Sequence, residues 1–218
     1  MSFSLFLNGS LQTLYMVAVS TIFAYVLGLP LGILLAVTGK GGLRPLRIIG
    51  TALGFLVNFL RSVPFVILLV ALIPFTRFIV GTSLGSTATI VPLVIGSAPF
   101  VARMVENSLR EVDPGVVEAA RSMGATNAQI VFKVMLPECR PSLIVGAAIT
   151  AVTILGYSTM AGFVGGGGLG AIGINYGYYR YETDVMLVTV LLLVVIVQLI
   201  QEAGLRFANR SDKRKNKK

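Results

Sequence analysis

Five long apolar stretches alternate with polar connections along the chain. They run over 11–37, 48–76, 87–105, 143–164 and 185–207. Each has about the length needed to cross ~30 Å of hydrocarbon at 1.5 Å per residue. Inside lipid the backbone groups must be satisfied within each segment, so the stretches predict helices. The two-residue alternation of barrel strands is absent. The pattern therefore predicts an all-α integral membrane protein with five transmembrane helices spread over 11–207. An N-terminal segment (1–10), a long connection (106–140) and a tail (208–218) flank or interrupt them. Glycine and proline punctuate the spans: Gly28, Pro30 and Gly32 in the first, Pro64 in the second, Gly96 and Pro99 in the third. Small residues of this kind let helix backbones approach closely.

Composition agrees with lipid as the solvent. Apolar residues make up 55% of the 218 and charged residues 12%, about half the usual share of a soluble domain. Mean hydropathy is +0.86. The net charge of +9 raises nucleic acid as a partner, but its location argues against one. Between Arg206 and Lys218 seven bases and one acid give +6, leaving +3 for the rest. A basic tail after the last span suits a cytoplasmic membrane face with anionic lipid. The first connection (Lys40, Arg44, Arg47) and the third (Arg110, Arg121, Lys133, Arg140) are also basic. The positive-inside rule then places the N-terminus outside and the C-terminus inside. Met1 to Ser10 lacks a charged n-region and a cleavage site, so no removable signal peptide is expected. One cysteine, Cys139, excludes an internal disulfide, and the absence of histidine excludes histidine-based metal or acid–base chemistry.

The connection 106–140 reads ENSLREVDPGVVEAARSMGATNAQIVFKVMLPECR. Asp113 before Pro114 predicts an N-cap with proline at the first helical position. A short helix follows over 116–123, and Gly124 falls where a left-handed residue commonly ends one. Thr126 and Gln129 have the spacing of a capping box, opening a second helix that Pro137 is expected to stop. Three uses compete for two short helices joined by a glycine turn. An amphipathic surface loop is one. A DNA-binding helix-turn-helix is another, opposed by the flanking spans and by the lack of a basic recognition face. The third is a docking element for a cytoplasmic partner.

Glu118, Ala119, Ala120, Gly124, Leu136 and Pro137, with Val134 at the aliphatic position, resemble the EAA signature of ABC importer permeases. That signature is E-A-A, three residues, G, nine residues, an aliphatic, one residue, then L-P. The resemblance extends to NFLRSVPF (58–65), APFVARMVEN (98–107) and GYSTM (156–160), which are similar to methionine ABC permeases. It implies the type I ABC importer permease fold and a translocation pathway for an amino acid, methionine in that group. It also implies a homodimer in the bacterial inner membrane, with two cytoplasmic ATP-binding subunits inside and an extracytoplasmic substrate-binding lipoprotein outside. Coupling to the ATPase is then expected at Glu118, Ala119, Ala120, Arg121, Gly124, Ala125, Leu136 and Pro137. No cofactor is expected, and ATP hydrolysis falls to the partner, since the chain has no P-loop.

The fourth stretch carries Tyr157, Ser158, Thr159 and Met160 near its middle, and Tyr157, Ser158 and Met160 are the pore or gate candidates. Tyr157 and Met160 share a helical face. Packing against a neighbouring helix is the plainer use of the same side chains. Arg61 stands inside the second stretch. A charge there costs about 3 kcal/mol, so it is expected to face protein or water, with a carbonyl or Glu106 as its partner. Gly162 to Gly173 contains GxGxxG without the strand and acidic residue of a dinucleotide site. A packed or flexible outer segment, where a binding protein would dock, is the better reading. The alternative function is an ion-gradient-driven secondary transporter of a small neutral solute. Such proteins often carry intramembrane acids, and Glu106 at a membrane edge is the candidate here. A scaffold without transport is a third class. The EAA pattern argues against both.

Overall fold

The computed structural model describes residues 3–211, and within them every regular element is helical. The elements are α1 (Phe3–Thr38), α2 (Arg47–Ser62), α3 (Phe65–Ala71), α4 (Ile73–Val80), α5 (Ser86–Arg110) and α6 (Pro114–Ser122). A helical run over 127–138 is α7; α8 spans Arg140–Ala161, α9 Gly168–Ile172 and α10 Thr183–Ser211. Four helices are long and apolar enough to cross a membrane: α1, α5, α8 with the turn that follows it, and α10.

The second apolar stretch supplies the fifth span only as a broken one, its helices passing as a span together. It is not one helix but α2, α3 and α4, and α2 and α3 are bent by 96° at their break. Pro64 causes it. Lacking an N–H, it sits in extended geometry (φ −58°, ψ 131°) at the start of α3 and cannot continue the ladder of α2. Hydropathy averaged over the stretch does not register one missing donor. Other boundaries moved outward. α1 starts at Phe3, inside the expected N-terminal segment, and α5 runs to Arg110, into the expected connection. The helix of α10 takes in residues 208–211 of the basic tail, and 212–218 lie outside the described residues.

Along α1 and α10 small and hydroxyl-bearing residues share the buried positions with large apolar ones, while many large apolar side chains are exposed. On α1 the buried positions include Thr13, Met16, Val17, Ser20 and Ala24, whereas Leu7, Leu11, Leu14, Ile22, Phe23 and Val26 are exposed. On α10 Thr189 is buried while Leu187, Leu191, Val194, Val195 and Leu199 are exposed. Lipid rewards no sequestration of large aliphatic groups, so small and hydroxyl-bearing residues take the contacts where close approach gains most.

The backbone forms two compact units. One takes the chain up to Ala24, Val63–Ser97 and Ile149–Glu202; the other takes Tyr25–Ser62, Ala98–Ala148 and the chain from Ala203. In the first, the glycine run is a tightly packed turn. A Cβ on Gly162 would lie 2.6 Å from the Gly170 carbonyl carbon. Gly168 N donates to Gln12 Oε1 (2.9 Å), Leu169 N to Thr13 Oγ1 (2.9 Å), and Thr89 Oγ1 to Gly166 O (3.3 Å). Of the packed and flexible readings, the packed one holds. In the second unit, Leu35, Val57 and Ala102 form a buried core with Leu31 and Leu53 against it. Gly28 and Gly32 bring α1 onto α5: a Cβ on either would lie 2.6 Å from Val101 Cβ or Ala102 O respectively. Tyr25 donates its hydroxyl to Leu143 O (3.1 Å), tying α1 to α8.

Candidate functional site

The connection between α5 and α8 is built from capping chemistry. Asp113 accepts from Gly115 N at 2.7 Å, with Pro114 at the first position of α6. The helix closes in a Schellman motif: Ala125 N donates to Ala120 O (3.1 Å) and Gly124 N to Arg121 O (2.9 Å). This needs a left-handed C′ residue, and Gly124 has φ +82°. Thr126 and Gln129 then complete a capping box, with Gln129 N donating to Thr126 Oγ1 (3.3 Å) and Thr126 N to Gln129 Oε1 (2.8 Å). Both ends of the glycine turn are thus satisfied locally, and Ala120 on α6 and Ile130 and Val131 on α7 are buried beside it.

Two details of the expected loop change. Pro137 does not stop the second helix. Ile130–Met135 forms a π-type turn, and Leu136 N donates to Val131 O five residues back. The wider turn accommodates proline's missing donor and bulky ring, and the helical run reaches Glu138. Nor is there an Ala-Ala face. Ala119 is exposed but Ala120 is buried. The exposed surface of the hairpin instead comprises Glu118, Ala119, Arg121 and Gly124 with the large apolar side chains of Met123 and Phe132. Ala125 and Leu136 are half-buried and Pro137 is exposed. Met123 is 82% and Phe132 63% exposed, so two large apolar side chains face outward where the chain leaves the apolar spans. Neither was singled out from sequence, although Met123 sits inside the EAA spacing.

A cavity of about 150 Å³ beside this connection is lined by Glu111, Glu138, Cys139, Ser108 and Ser142. The two serine hydroxyls are 2.8 Å apart, and Ser142 also donates to Glu111 at 3.2 Å. Burial, with smaller contributions from Glu111 and Glu138, pushes the Cys139 thiol up to about 11. It is a neutral, unreactive thiol at neutral pH.

Arg61 does not pair with Glu106. It is exposed, with its guanidinium 5.9 Å from the centre of the Phe100 ring. Glu106, buried on α5, is held instead by Arg103 (2.5 Å) and Arg110 (2.8 Å), and Arg103 also donates to Gly54 O on α2 at 2.9 Å. The i, i+3 and i, i+4 spacing of these three residues was the available signal, since helical neighbours recur at those intervals.

Of the gate candidates, Tyr157 is half-buried and stacks on Phe65, rings 4.2 Å apart and 6° from parallel. Met160, one turn on, is 42% exposed. Ser158 is turned into the protein and donates to Leu155 O (2.7 Å), so it does not share their face. Phe65 follows the Pro64 break directly, and no feature of the sequence linked it to Tyr157.

A profile of the family described as the binding-protein-dependent transport system inner membrane component matches residues 28–214, and the chain belongs to that family. Over 210 residues it is 52% identical to the probable D-methionine transport system permease protein MetI of Vibrio cholerae, covering 96% of this chain and 93% of the relative. It is 46% identical over 207 residues to the methionine import system permease protein MetP of Bacillus subtilis, covering 95% and 93%. A solved inward-facing structure of the MetNI methionine ABC transporter superposes with a TM-score of 0.96 at 50% identity, covering 98% of this chain and all of that one. An amino acid ABC transporter solved with histidines shares the fold, with a TM-score of 0.78 at 20% identity.

Proposed function

We propose that this chain forms the translocation pathway of an ATP-driven methionine importer. It would act as a homodimer in the bacterial inner membrane, on two cytoplasmic ATPase subunits, with methionine delivered by an extracytoplasmic binding lipoprotein. The observation that carries the mechanism is the α6–α7 hairpin. It is capped at both sides of Gly124 and presents Glu118, Met123 and Phe132 outward. Closure of the ATPases would move this hairpin as a rigid piece and, through α5 and α8, switch the pathway between inward and outward access. Tyr157 and Met160 are proposed to line the gate. The N-terminus is placed outside by loop charge. ATP chemistry belongs to the partner subunits, and this chain contributes binding and movement.

An ion-gradient mechanism finds no support at its one candidate. Both carboxylate oxygens of Glu106 are engaged by arginines, so it stands as part of a charge cluster and not as a free intramembrane acid. The test is uptake of labelled methionine into vesicles holding the chain, its ATPase and binding protein. Uptake is expected to require ATP and to ignore a protonophore. Uptake without ATP that collapses on adding the protonophore would overturn the assignment.

A further inference from the structure

The Arg103–Glu106–Arg110 cluster lies outside the hairpin and the gate, yet it buries the only carboxylate found buried among the described residues. Glu106 uses both oxygens, one on each arginine. Arg103 reaches on to the Gly54 carbonyl of α2, while its buried Nε finds no partner. Its guanidinium is therefore oriented by the two Nη groups alone. Arg110 lies against the turn that follows α1: a Cβ on Gly39 would come 2.7 Å from Arg110 Nη2. One buried carboxylate thus holds two cations, and each cation touches a different element. Beyond Arg110 only Glu111 and Val112 precede Asp113, the N-cap of α6.

We propose that Glu106 is a positioning residue for coupling. It clamps Arg103 against α2 and Arg110 against the first connection, and so fixes the direction in which the end of α5 presents the α6–α7 hairpin. The physical reason is charge balance around a buried carboxylate: the Glu106 side chain is 7% exposed, between Arg103 at 22% and Arg110 at 49%. With the carboxylate present, two guanidiniums one turn apart on either side of it are held by opposite charge. Without it they repel, and each relaxes toward water or a headgroup, releasing α5 from α2 and from the first connection. The hairpin itself stays intact, because its caps are local. It would then move with the ATPase without pulling α5 along.

This inference rests on the proposed coupling role of the hairpin, and the experiment separates the two. The full complex carrying Glu106→Gln, Arg110→Gln or Arg110→Lys is reconstituted beside wild type, and methionine imported per ATP hydrolysed is measured. Co-purified ATPase and complex melting temperature are followed in parallel. Glu106→Gln is expected to keep ATPase binding and hydrolysis while import per ATP falls about tenfold. Arg110→Gln should show a partial loss that Arg110→Lys, which keeps the ion pair, restores. If Glu106→Gln does not assemble, the Arg110 pair carries the test alone. Unchanged import per ATP in the variants that assemble, with or without a lower melting temperature, makes the cluster a structural brace and overturns the proposal. Failure of wild type to couple ATP to import would instead remove the functional assignment beneath it.

Discussion

At the scale of single residues, the α6–α7 hairpin is set by bonds that each capping side chain makes close to itself in the chain. Asp113, Gly124, Thr126 and Gln129 occupy the capping geometry their spacing predicts, because each bonds within a few residues of itself. Gly124 has open space beside it but a positive φ, so an added Cβ costs roughly 1–2 kcal/mol by backbone strain alone. Gly124→Val should therefore leave insertion intact and distort the hairpin angle. Glu118→Lys reverses an exposed charge on α6. Both are expected to lower ATPase binding or uncouple hydrolysis from uptake, against a control at exposed Asn127; normal binding and uptake in both would remove the hairpin from the coupling path. Cys139 offers a second check. Its thiol is raised to about 11, so the reactive thiolate is scarce at pH 7.5. Alkylation by iodoacetamide should run roughly a hundredfold slower than for an ordinary exposed cysteine. The rate should climb with pH up to about 11, and fast labelling at pH 7.5 would contradict the burial described for it.

At the scale of elements, hydropathy located the helices but not their breaks. The stretch 48–76 is uniformly apolar, yet Pro64 divides it, and the aromatic ring one residue later stacks on Tyr157. In the other direction, polar residues failed to end helices where a boundary was expected: α5 continues through Glu106 and Arg110, whose charges neutralise each other along its face. The contact of α1 with α5 is set by Gly28 and Gly32, where any side chain would meet Val101, Val105 or backbone carbonyls. Gly28→Leu should force the two helices apart and cost about 1–3 kcal/mol. A lowered melting temperature of the purified complex is the expected reading, and an unchanged one would mean that the helices repack at no cost.

At the scale of the whole molecule, loop charge predicts the proposed orientation. A cysteine at Lys40, exposed after α1, is expected inside, and one at Thr82, exposed between α4 and α5, outside. In intact cells carrying Cys139→Ser, a membrane-impermeant maleimide should label Thr82→Cys, and reach Lys40→Cys only after lysis. Labelling of Lys40→Cys from outside would invert the topology and place the hairpin out of reach of a cytoplasmic ATPase.

What the sequence determined by itself is what repeats or bonds locally. Apolar length fixed the solvent and the helical class, because lipid admits no other open backbone. Loop charge predicted sidedness, and fixed short spacings predicted the capped hairpin and the family signature. The tertiary structure decided what depends on residues far apart in the chain. It turned Ala120 and Ser158 inward and left Met123 and Phe132 outward. It paired Phe65 with Tyr157 and gave Glu106 to Arg103 and Arg110, leaving Arg61 over Phe100. It also fixed the glycine run by donating its backbone amides to Gln12 and Thr13. In a membrane protein both faces of a helix can be apolar, so hydropathy does not mark which one meets protein. That choice rests on small side chains and single hydrogen bonds, and these find their partners only when the helices are packed.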